Sequence, residues 1–140
     1  MTVTVRVLFD QPQQEIASLL RDRLTRCTKA SLVAGFMTVE GIEAIAAPLR
    51  AHPNKLSHLF VGAGTWRAFD ALDRLLAAGV APAALHVHLG HTRATTPGAT
   101  HRFYRYHPML HNKVYLIEMM DGTSAAFIGS HNMTAVHCSA

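Results

Sequence analysis

His111 and Lys113 stand two residues apart at the start of HNKVYLIEMMDGTSAAFIGSHN, and Ser130 and Asn132 stand two apart where that stretch ends. On an extended strand residues two apart leave the same face, so each pair presents its polar groups together. Asp121-Gly122 between them is a strong hairpin signal, and pairing the two strands gathers all these groups at the open end. Gly129 lets backbone pass closely there. An imidazole nucleophile, an ammonium and two hydrogen-bonding side chains suit a phosphoryl group in transfer. Lys113 and Asn132 would hold the non-bridging oxygens, where charge builds in the transition state. A hairpin meant only to pack would carry such residues in its turn.

Just upstream, HRFYRYH (His101 to His107) interleaves cations with rings. Arg102 and Arg105 could hold phosphates while Tyr104, Tyr106 or Phe103 stack on bases. Two further stretches take plainer readings. GAGT, Gly62 to Thr65, lacks the endings of a P-loop or a dinucleotide fingerprint and reads as a tight strand-to-helix turn with Thr65 as cap. HVHLGH, His86 to His91, has a spacing that suits zinc, but Gly90 stands where the similar HxHxDH motif of metallo-β-lactamase-like hydrolases needs an Asp. These read as strand-end histidines, and no metal is expected.

The elements that must position these groups alternate. Val3 to Phe9 reads as a strand, followed by a helix from Pro12 to Arg26 with Ile16, Leu19, Leu20 and Leu24 on one stripe. Ser31 to Met37 reads as a buried strand, and Thr38 caps a helix over Val39 to Ala51. Leu56 to Gly62 is a third strand, Thr65 opens a helix through Ala78 that Gly79 ends, and Ala83 to Leu89 is a fourth strand. Residues 91–107 read as a loop, before the closing hairpin. This order predicts an α/β fold, a mainly parallel mixed sheet flanked by helices, with a C-terminal antiparallel hairpin.

A chain of 140 residues, 49% apolar and 16% charged, has the size and composition of one globular domain. Its net charge of +4 permits an anionic partner. Cys27 and Cys138 form no CxxC pair, and reduced thiols are the plain reading. No stretch reads as a signal peptide or a membrane helix, so a cytoplasmic protein without membrane association is expected.

The hairpin resembles the HKD signature of the phospholipase D superfamily, HxKxxxxD followed by GSxN. Here it runs His111-x-Lys113, four residues, Glu118, and then Gly129-Ser130-His131-Asn132. HPMLHNKVYLIE and FIGSHNMT look most like the small nuclease-type bacterial members. The resemblance implies a phospholipase D-like half, a catalytic set of His111, Lys113, Ser130, Asn132 and Glu118, and no cofactor. It also implies a homodimer, because the family's site takes two motifs and this chain supplies one. One His111 would then attack phosphorus while the other serves the leaving oxygen and water. Glu118 replaces the motif's Asp, and residues 119–128 make its interval to GSxN longer than the family's usual one. The family's downstream Asn-x-Glu is not found, so the resemblance implies one domain over residues 1–140 without the usual C-terminal end, either a shortened protein or one of reduced activity.

The motif fixes the chemistry and leaves the substrate open. The basic balance, the single motif, the lack of a membrane segment and the Arg/aromatic stretch before His111 favour DNA or another nucleic acid. The expectation is a metal-independent DNA endonuclease. Its alternatives are a catalytically impaired module that binds nucleic acid or a partner protein, and a lipid phosphodiesterase.

Overall fold

A computed structural model of the chain describes residues 4, 5, 7, 15–88, 91–93, 105–107, 110–130 and 133. The elements are α1 (Glu15–Arg26), β1 (Cys27–Ala34), α2 (Val39–Ala51), β2 (Leu56–Val61), α3 (Trp66–Ala77), β3 (Leu85–Val87), β4 (His91–Arg93), β5 (Arg105–His107), β6 (Lys113–Met119) and β7 (Ser124–Ile128). Five strands form one sheet in the order β3-β2-β1-β6-β7. β1 pairs in parallel with β2, and β2 with β3, while β6 is antiparallel to both β1 and β7. The α/β expectation holds, but the sheet is evenly mixed rather than mainly parallel, because the C-terminal hairpin docks β6 directly against the central strand.

The expected first strand is a second correction. Of Val3 to Phe9, the described residues Thr4, Val5 and Val7 belong to no strand, and both valines are exposed. The rest of that stretch, and the expected helical start at residues 12–14, lie outside the described residues.

Local chemistry explains the boundaries that agree. Thr38 Oγ1 accepts from Gly41 N at 3.3 Å and starts α2 at Val39. Thr65 holds the corresponding position before α3, though its side chain makes no capping bond. Past α3, Gly79 takes φ 100°, a left-handed conformation that glycine adopts without a Cβ clash. In the hairpin turn the Asp121 carboxylate accepts from Thr123 N at 2.9 Å and Thr123 Oγ1 at 2.6 Å, and Gly122 takes φ 79°. Those bonds hold the Asp121 carboxyl below its ordinary range.

The core lies on one face of the sheet. Leu20 and Leu24 of α1, Ile42, Ile45 and Leu49 of α2, and Leu72 and Leu75 of α3 cluster with Leu32, Leu59, Tyr115 and Ile117. Alternation sends the intervening residues to the other face, where Phe60, Val33, Val114 and Ile128 stand in one register row. Leu116 is 51% exposed and Ile128 79%, so the described helices cover one face rather than flanking the sheet.

Within residues 91–107, expected as a loop, β4 and β5 pair antiparallel, with Thr92 opposite Tyr106 and Arg93 opposite Arg105. Alternating Thr, Arg, His and Tyr conceal a short ribbon whose strands carry too few apolar residues to signal themselves. Among the described residues, no helix is long and apolar enough to cross a membrane.

Candidate active site

Parallel β1 and β2 end on a common edge, and antiparallel β6 begins there. Ala34, the last residue of β1, pairs with Lys113, the first of β6. β7 returns to the same edge, where Gly129 N donates to the Lys113 carbonyl at 3.3 Å. The open end of the hairpin therefore meets the carboxyl ends of the parallel strands, where open α/β sheets place their ligands.

Two glycines let the chain enter that edge. A Cβ on Gly35 would stand 2.9 Å from Leu110 O and 3.0 Å from His111 Cα. One on Gly62 would stand 2.6 Å from Gly35 O and 2.7 Å from Leu110 O. Any side chain at either position would push the backbone just before and at His111 out of place. Sequence reasoning took Gly62 as a strand end and part of a turn and left Gly35 inside a strand; both stand directly after a strand, which is the signal that could have marked them.

Lys113 is the buried polar residue of the described core, 4% exposed. Its Nζ donates to the His111 carbonyl at 2.7 Å. Burial lowers the ammonium's pKa from its ordinary value. Among the described residues no carboxylate pairs with it, and the oxygen that accepts from the ammonium is neutral. Burying an unpaired charge is costly, and an anion at this edge would offset that cost.

His111 is exposed, in contrast to Lys113. The expected common face fails here because β6 starts at Lys113. His111 precedes the strand, and strand alternation does not govern it. The two residues are nevertheless joined, through the bond from one side chain to the other's backbone.

On the returning side Ser130 is exposed at the same edge. Three residues on, Met133 N donates to Phe36 O at 3.0 Å, and Thr38 N donates to Met133 O at 2.8 Å. The GSxN segment is thus tied at both ends to the edge that holds His111. Asn132 itself lies outside the described residues.

The other expected site residues separate. Glu118 pairs with Ser124 beside the hairpin turn and is exposed. That is roughly 16 Å along the strand from Lys113 at ~3.3 Å per residue. Its carbonyl accepts from Thr28 Oγ1 at 3.1 Å, which ties β6 to the start of β1. Arg102 and Tyr104 lie outside the described residues. Arg105 and Tyr106 belong to β5, two positions of a ribbon that lies in the chain between β3 and Leu110.

The histidine of β3 has other partners. His86 stacks on Phe60, centroids 4.3 Å apart, and its Nε2 is 3.2 Å from His58 Nδ1. Among the described residues no three His, Cys, Asp or Glu gather as a metal site.

No protein-family model, no curated protein and no solved structure matches this chain. The likeness to the phospholipase D superfamily therefore rests on the motif residues of the sequence alone.

Proposed function

We propose that the chain is a metal-independent phosphodiesterase of the phospholipase D type, a DNA endonuclease that works through a phosphohistidine in a homodimer. The observation that carries the reading is the buried Lys113 ammonium, bonded to the backbone of an exposed His111 at the carboxyl edge of β1 and β2. A histidine free to meet solvent, fixed by a cation that lacks a carboxylate partner among the described residues, suits attack on an anionic phosphodiester.

In the first step an imidazole nitrogen of His111 attacks phosphorus and forms a P–N bond. The bond from phosphorus to the leaving oxygen breaks, and the imidazolium of the second copy's His111 gives that oxygen its proton. Next, the second imidazole takes a proton from water. The oxygen bonds to phosphorus, the P–N bond breaks, and the pair of histidines returns to its starting protonation. Lys113 and Asn132 stabilise the non-bridging oxygens, and Ser130 donates a hydrogen bond beside them. Glu118, at the turn end of β6, is given no part in these steps.

DNA is favoured over a lipid by the +4 charge and by the Arg- and Tyr-bearing segment leading into His111. Cleavage of labelled single- and double-stranded DNA in EDTA, with His111→Ala beside the parent, tests the reading. EDTA-resistant cleavage that the variant loses is expected. Binding without cleavage by either protein would favour the catalytically impaired module instead.

A further inference from the structure

Trp66 is the chain's one tryptophan and is 71% exposed. Exposing so large an apolar ring is unusual for a residue that serves only the fold. Its location is specific. Trp66 follows the end of β2, and the path from Gly62, which touches Leu110, to Trp66 spans at most about 14 Å. The Met37–Gly64 and Met37–Met133 bridges hold this segment beside the end of the GSxN stretch. Phe36, whose carbonyl anchors Met133, is also partly exposed on this edge. The Arg67 guanidinium lies over the Trp66 ring, 5.2 Å from its centroid. The segments that carry one exposed ring with a cation across its face, and a second exposed ring, thus leave the same sheet edge as the His111 segment.

The geometry points to Trp66 as a stacking platform for an unpaired nucleobase of the strand whose phosphate sits at His111, with Arg67 beside it for the backbone. This rests on the phosphodiesterase reading and gives it a substrate class, single-stranded DNA. The chemistry favours a base over a peptide or an acyl chain. A flat π-face pairs with a base without regard to sequence, and the flanking guanidinium and the positive net charge suit the phosphates alongside. A duplex keeps its bases stacked on one another and offers the ring only an end.

Because no second tryptophan contributes, intrinsic fluorescence reads this residue alone. The experiment titrates His111→Ala, made to prevent turnover, with a short single-stranded oligonucleotide and with its blunt duplex. Affinity is followed independently by anisotropy of a dye on the DNA. Trp66→Ala and Trp66→Phe are made in the same background. The single strand is expected to quench Trp66 at saturation. Affinity should fall roughly tenfold or more in Trp66→Ala and remain within about threefold of its starting value in Trp66→Phe. Unquenched fluorescence at saturation, an unchanged affinity in Trp66→Ala, equal binding of the duplex, or no binding of the single strand would each overturn the proposal.

Hydrolysis of bis(p-nitrophenyl) phosphate, which carries no base, separates the two claims. The parent should hydrolyse this ester and His111→Ala should not, whatever either does with a base. A parent that stacks DNA but leaves the ester intact would remove the phosphodiesterase reading and leave the stacking site standing.

Discussion

The side chain of Lys113 donates from Nζ to the backbone carbonyl of His111, 2.7 Å away. That bond joins an exposed imidazole-bearing residue to the buried ammonium at the head of β6, and it has two separable consequences.

Lys113→Met keeps most of the side chain's shape and removes the charge. Phosphodiester hydrolysis should fall about 100-fold or more, the scale seen when one preorganised donor to a developing charge is lost. Stability should stay level or rise, because an apolar replacement for a buried charge is commonly neutral or stabilising. Hydrolysis rates and thermal denaturation, measured on one preparation, check both directions.

The same burial predicts a pH dependence. The folded pKa of Lys113 lies below its ordinary value of 10.5, so the unfolded chain binds the extra proton in the interval between them. Stability contributed at this site should therefore rise with pH across that interval and level off above it. Below the folded pKa the site contributes a constant penalty. The buried thiol of Cys27, with its pKa raised by burial, works in the opposite sense at alkaline pH. The difference between parent and Lys113→Met removes that shared term. Denaturation curves from neutral to alkaline pH should converge as the parent gains on the variant.

Gly62→Ala should destabilise the protein by about 1–3 kcal/mol, the usual range for overpacking a filled site. The added methyl would meet the Gly35 and Leu110 carbonyls at 2.6 and 2.7 Å, both of them backbone atoms. Activity should fall further than stability alone explains, since relief of the clash moves the chain beside His111. Denaturant unfolding and hydrolysis below the transition check this.

Glu118→Gln should leave hydrolysis within about twofold, as most surface substitutions far from a site do. The carboxylate is exposed beside the turn, at the far end of β6 from Lys113. A large drop in turnover with unchanged stability would return Glu118 to the chemistry.

Much of this was legible before the fold. Thr38 and Gly79 marked real helix ends because caps and left-handed turns are local chemistry. Asp121-Gly122 marked the hairpin for the same reason, and the hairpin's base did meet at one edge. What was not legible depends on contacts between distant segments. Nothing in HNK says that the strand begins at the lysine, so the shared face of His111 and Lys113 could not be checked against burial. The reach of Lys113 back to the His111 carbonyl is visible only in the fold, where Lys113 opens β6 opposite Ala34 of β1. Gly35 and Gly62 gain meaning only once the Leu110–His111 backbone lies across them. Glu118 looked like part of the site because motif spacing counts residues, whereas the strand carries it away from the edge.

The proposed mechanism turns on a covalent bond between His111 and phosphorus. Phosphohistidine survives alkali, so rapid mixing with a phosphodiester substrate in EDTA, an alkaline quench and mass spectrometry of the digested protein test it directly. A phosphoryl adduct is expected on the peptide carrying His111, formed within the first turnover and absent from His111→Ala. Turnover with no adduct on that peptide, or cleavage that survives His111→Ala, would contradict it.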